Sequence, residues 1–156
     1  MTPTSSASRI RARRRVYLID TNVISETRKR ERANPGVRAF FRQAARDGTA
    51  LYLSALTVGE LQRGVALIRH RGDAVQAALL ERWLAHVLED FGRHVLPVDA
   101  EVAQVWGQLR AARPEHALDK FIAATALIHR LTIVTRNVAD FRGTGTMVMN
   151  PFSKDK

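Results

Sequence analysis

Asp20 closes the apolar run Val16-Tyr17-Leu18-Ile19 and opens the polar stretch Asp20-Thr21-Asn22. That order reads as a buried strand with a carboxylate on its C-terminal tip, the edge of a parallel α/β sheet where ligands bind. Three further acids, Glu60, Asp119 and Asp140, stand at later strand or helix boundaries. Brought together by the fold, four such carboxylates repel one another. A hard divalent cation such as Mg²⁺ takes oxygen ligands and relieves that repulsion. The chemistry these residues suggest is an acidic metal pocket acting on phosphoryl groups.

Each acid also has a structural reading. Thr57-Val58-Gly59-Glu60 fits a capping box, with Leu56 and Leu61 placed as a hydrophobic staple. Asp119 falls in the first turn of an expected helix, where negative charge suits the macrodipole. Asp140 follows Asn137-Val138-Ala139 and suits a turn. Asp20 is harder to assign this way, because aspartate disfavours strands. The metal-pocket reading therefore rests on the set, four acids at successive βα boundaries.

Other chemistries find little support. The histidines at 70, 86, 94, 116 and 129 lack the i,i+4 pairing of a metalloprotease helix and read as surface or helix-end residues. Ser54 has no Gly-x-Ser-x-Gly elbow. The glycine pair in 142–146 lacks a Walker lysine and reads as a turn. Trp83, Phe91 and Trp106 sit at helical spacing as core aromatics. The chain has no cysteine, which removes thiolate nucleophiles, disulfides and Cys-type zinc sites.

The elements that must position the acids alternate along the chain. Strands are expected at 16–19, 50–53, 95–98, 131–134 and 147–149. Helices are expected at 22–28, from Pro35 to Asp47, at 57–71, at 74–91, after Asp99, and at 118–130. The last is apolar nearly all round and reads as a central buried helix. This alternation implies an α/β fold with a mainly parallel sheet and helices on its faces. Residues 1–14, with four arginines and Arg15 directly after them, read as a disordered basic tail, and 15–153 as a single domain.

The net charge of +10 favours polyanions, nucleic acid first among them. No apolar run approaches the roughly 20 residues that span a bilayer, and no signal peptide is legible. Together with the absent cysteines this gives a cytoplasmic, membrane-free expectation.

Tyr17-Leu18-Ile19-Asp20-Thr21-Asn22-Val23-Ile24-Ser25-Glu26 resembles the opening motif of PIN-domain proteins, the VapC-type toxins above all. Leu53 to Leu61 resembles their second motif, Asp119 to Ala126 the third, and Thr135 to Phe141 the fourth; Asn150-Pro151 is similar to the usual ending. The resemblance runs in order from about Val16 to Phe152.

It implies a three-layer α/β/α sandwich and Mg²⁺- or Mn²⁺-dependent endoribonuclease activity. It implies a toxin held by a small cognate antitoxin, as a homodimer within the complex, with the hairpin of 57–71 and 74–91 as the antitoxin's seat. Carried over by position, Asp20 and Asp119 become direct metal ligands, with Glu60, Asp140 and Asn137 as further candidates. Many members carry aspartate where this chain has Asn137, and Asp140 matches those of the Asn-x-x-Asp-Phe form. Arg136 and Asn22 stand as candidates for positioning RNA. Two other classes remain open: a catalytically weak PIN domain acting in a DNA-binding complex with its antitoxin, and a phosphatase-like enzyme with Asp20 as nucleophile. The second normally needs an acid where Asn22 stands.

Overall fold

Five short apolar segments make one parallel sheet. In the computed structural model, which describes residues 15–154, these are β1 (Tyr17–Ile19), β2 (Leu51–Ser54), β3 (Val95–Leu96), β4 (Thr132–Val134) and β5 (Val148–Met149). The tail expected at 1–14 lies outside the described residues. The strand order is β3-β2-β1-β4-β5, and every pairing is parallel. Tyr17 registers with Leu51 on one side and with Thr132 on the other. From β1 the chain builds outward through β2 and β3, then crosses back to β4. The order therefore reverses between β1 and β4, which opens a crevice at the carboxyl ends of these two strands.

Successive strand residues point to opposite faces, and here both faces are buried. Leu18 packs with Ile122, Ala123, Ala126 and Ile133 on one side. Its neighbour Ile19 packs with Val23, Leu53, Leu61, Leu84 and Val134 on the other. The expected three-layer α/β/α arrangement follows. α1 (Thr21–Glu26), α2 (Pro35–Asp47), α3 (Ala55–His70) and α4 (Ala74–Phe91) supply residues to the second face. α6 (Ala117–His129) covers the first and packs against α5 (Ala100–Ala112).

Three expectations are corrected. α3 starts at Ala55, because Ser54 takes the cap and its hydroxyl accepts from the Leu56 N–H at 3.1 Å. Thr57 is thus inside the helix, fully buried, and its hydroxyl has no hydrogen-bond partner. The capping box ending in Glu60 does not form. α6 is an outer-layer helix and not a central one: Leu118 is 51% exposed and Leu127 36%. Its apolar girth covers α5 and the sheet with only part of its circumference. The helix expected through Arg28 ends at Glu26, and a 3₁₀ segment continues over Thr27–Arg32. α3 and α4 form the expected hairpin, with Gly72 at φ +90° and Asp73 capping α4 through the Gln76 N–H at 3.0 Å.

Candidate functional site

Asp20 is carried into the crevice by β1 and fastened to β4, its N–H donating to the Val134 carbonyl at 2.9 Å. The residue is only 5% exposed. One oxygen accepts from the Thr21 N–H at 2.8 Å and so caps α1. The other accepts from the Thr135 hydroxyl at 2.8 Å and from the Asn22 amide at 3.4 Å. Burial pushes this carboxyl above its ordinary range; the Thr135 and Thr21 bonds oppose that, and the charges of Glu60 and Asp140 add to it.

Thr135, fully buried just past β4, is the hub of the crevice. Its hydroxyl donates to Asp20 and accepts from the Asn137 N–H at 3.0 Å. Asn22 bridges the same two strand ends: its amide reaches Thr135 at 3.3 Å and its carbonyl accepts from the Arg136 N–H at 3.0 Å. The Arg136 side chain is exposed and lies over the Phe152 ring, 4.8 Å from its centroid.

Glu60 reaches the crevice from the second turn of α3, and its carboxylate accepts from the Thr21 hydroxyl. Asp119 enters from the first turn of α6, 28% exposed. Its carboxyl is pushed up to about 6, first by burial, then by the charges of Asp20 and Asp140, with His116 opposing and Glu60 adding. Asp140 sits in the 3₁₀ turn Val138–Phe141 after β4. The four sequence-predicted acids are thus electrostatically coupled at one sheet edge. Asn137 lies in the same loop, exposed, and uses its backbone N–H on Thr135.

These acids fit a divalent cation. The chain carries ten more basic than acidic residues, yet among the described residues no Lys or Arg forms an ion pair with Asp20, Glu60, Asp119 or Asp140. Carboxylates with no Lys or Arg partner at an open edge, two of them (Asp20 and Asp119) with their proton affinity raised, form an oxygen-rich donor set suited to a hard ion.

Two residues escaped the sequence reading. His116, read as a helix-end histidine, does precede α6, and its ring lies between Asp119 and Asp140. One donor atom from each of these three residues lies within 4.8 Å of the others. Its position three residues before Asp119 was the available signal. Lys120 is 1% exposed, and its ammonium donates to the Glu115 carbonyl. The apolar girth of α6 was the hint that a polar residue there would be buried.

Residues 17–145 match the PIN domain family. Toxin FitB of Neisseria gonorrhoeae is 38% identical over 142 residues, which span 88% of this chain and 99% of that protein. VapC ribonuclease Y4jK of Sinorhizobium fredii is 32% identical over 142 residues, 88% and 98% of the two chains. The solved structure of FitAB bound to an IR36 DNA fragment matches with a TM-score of 0.74 at 33% identity, covering 90% of this chain and 99% of that one. With the strand order, the acids at the β1/β4 crevice and relatives matched over nearly their full length, this chain belongs to the PIN-domain family.

Proposed function

We propose that the chain is a metal-dependent endoribonuclease and the toxin of a toxin–antitoxin pair, with residues 15–153 working as one PIN-type unit. The observation that carries this reading is the convergence of Asp20, Glu60, Asp119 and Asp140 with no Lys or Arg paired to them among the described residues. Relatives named as a toxin and as a ribonuclease support it.

Asp20 and Asp119 would hold Mg²⁺ or Mn²⁺, with Glu60 and Asp140 completing the pocket. A divalent cation there supplies Lewis-acid charge for a phosphodiester and acidity for an attacking water. The chain's own residues fix the pocket. The Thr135 hydroxyl and the Thr21 N–H set the orientation of Asp20, and the Thr21 hydroxyl sets that of Glu60. Asn22 holds the Arg136 backbone at the rim, where the exposed guanidinium would meet the RNA phosphates. Net positive charge draws the RNA in. The antitoxin would seat along the α3–α4 hairpin, within a homodimeric complex.

The test is cleavage of RNA by the purified chain, abolished by EDTA, restored by Mg²⁺ or Mn²⁺, and absent in Asp119→Asn. EDTA-resistant cleavage would end the metal reading. A folded, metal-loaded chain that cleaves no RNA would favour the second reading, a catalytically weak PIN domain in a DNA-binding complex. That reading draws on the asparagine at 137 and on the relative solved with DNA.

A further inference from the structure

We propose that His116 supplies an imidazole nitrogen to the cation held by Asp119 and Asp140, biasing the site towards first-row transition metals such as Mn²⁺ over Mg²⁺. This rests on the metal-dependent nuclease reading above and adds a ligand to it.

His116 occupies the position before α6 where a side chain normally caps the helix, yet it makes no capping hydrogen bond. Its ring is turned to the acids: Nδ1 stands 4.0 Å from Asp119 Oδ2, and Nε2 3.6 Å from Asp140 Oδ1. Both separations exceed a hydrogen bond, so neither nitrogen is taken up by a carboxylate. Only one ring nitrogen can bind a given ion; taking one donor atom from each of His116, Asp119 and Asp140, all three lie within 4.8 Å of one another. Around an octahedral cation with bonds of about 2.1 Å, donors lie about 3.0 Å apart when adjacent and about 4.2 Å when opposite, so a modest closure of these side chains makes them ligands of one ion.

The ring's position is built, not incidental. The chain leading into α6 is held at three carbonyls: Arg110 donates to Pro114 at 3.1 Å, Lys120 to Glu115, and the Trp106 indole to Ala117, the first residue of the helix, at 2.9 Å. His116 itself adopts φ +53°, ψ 57°, a left-handed conformation uncommon outside glycine. Arg113 then joins this loop to the one following Asp140. Its guanidinium lies so close to Gly143 that a Cβ there would come within 2.3 Å of Arg113 Nε. The two loops that carry the imidazole and the Asp140 carboxylate thus pack closely against each other.

Ligand type sets the metal. Mg²⁺ is bound through oxygen, whereas imidazole favours first-row transition ions. Exchanging one oxygen donor for a nitrogen strengthens Mn²⁺ relative to Mg²⁺.

The test uses the full chain stripped with EDTA, then titrated calorimetrically with Mn²⁺ or Mg²⁺ alone, and pulsed EPR of the Mn²⁺ form. His116→Gly accepts the positive φ without strain and removes the ring. His116→Asn tolerates the same backbone and serves if the glycine variant does not fold. The unsubstituted chain is expected to show nitrogen modulation on bound Mn²⁺. Both variants should lose it and bind Mn²⁺ about tenfold more weakly, with Mg²⁺ affinity changed less than about twofold. Modulation that persists in the variants, or equal weakening of both metals, overturns the proposal. Mn²⁺ bound tightly by the unsubstituted chain without nitrogen modulation overturns it too, and leaves the metal-dependent reading standing. Binding of neither metal defeats both.

Discussion

Replacing Asp119 by asparagine should stabilise the metal-free protein, and the gain should depend on pH. The Asp119 carboxyl titrates at about 6 in the fold against an ordinary 3.8. The difference, about 6 less 3.8, is roughly 2 units, equivalent to about 3 kcal/mol when the group is fully ionised. The side chain is 28% exposed, so solvent screening reduces that to roughly 1–2 kcal/mol. The opposing term is the α6 macrodipole, which favours a charge in the first turn by about 0.3–1 kcal/mol and so loses. Asp119 makes no hydrogen bond among the described residues, so asparagine forfeits none there.

Between 3.8 and about 6 the folded state holds more protons than the unfolded state, so the stability of the native sequence falls as pH rises through that window. Asp119→Asn does not titrate at this position. Its advantage should be near zero at the low end of the window, grow across it, and level off above about pH 7 at roughly 1 kcal/mol once the dipole is subtracted. Urea unfolding in EDTA at a series of pH values measures this. With Mn²⁺ at about a hundred times its Kd the order should reverse, since ligand binding adds about 2.7 kcal/mol to the native sequence. An Asp119→Asn protein that is less stable than the native one at pH 7.5 in EDTA, or an advantage that ignores pH, would refute the idea that the Asp119 charge is partly buried beside like charges without compensation.

Three further outcomes are expected. Glu60→Gln should change stability by less than about 0.5 kcal/mol, because Glu60 is no cap and an amide oxygen still accepts from Thr21, while RNA cleavage collapses; full cleavage would return Glu60 to a structural role. At the true cap, Ser54→Ala should cost about 1 kcal/mol in a thermal melt, whereas Thr57→Val should gain up to about 1 kcal/mol by removing a buried, unpartnered hydroxyl. Asp140→Asn should weaken cleavage most at low metal concentration, and Asn137→Asp should raise metal affinity; normal cleavage by Asp140→Asn across a metal titration would make Asp140 a turn residue.

Much of this arrangement was legible because it is written in local pattern. The run Tyr17-Leu18-Ile19 before Asp20 is a parallel strand's continuous apolar signature, and the carboxylate at its tip lies where strand order reverses. Of the α4 stripe that the spacing picks out, Leu80, Leu84 and Val87 are buried and Trp83 and Phe91 are partly buried against the same core. What failed was set by competition or by long-range geometry. Ser54 and Thr57 are both competent caps three residues apart, and the choice fell to the one ending β2. The depth of α6 could not be read from its apolar girth, because α5 covers part of it and leaves Leu118 exposed. For His116 the sequence offered only its place three residues before Asp119; the left-handed backbone and the fold of the 140s loop, which bring its ring to Asp140, have no sequence signature.

The two central acids are built on opposite principles. Asp20 is buried and satisfied, with three hydrogen-bond donors fixing both of its oxygens before any ligand arrives. Asp119 is left half-open, unbonded and surrounded by like charge. A site made of two carboxylates like Asp20 would be rigid when empty, with every oxygen already held by a donor. A site made of two like Asp119 would hold nothing in register. Thr135→Val separates these roles. Removing the hydroxyl strips Asp20 of its best donor and leaves the Asn137 N–H unpartnered, which should cost roughly 1–3 kcal/mol of stability. It should also loosen the orientation of Asp20, so that cleavage falls even where metal saturates. Asp119→Asn should do the reverse in the metal-free state, gaining stability while losing the cation. If both substitutions moved metal-free stability in the same direction, the division of labour between a positioned acid and an uncompensated one would not hold.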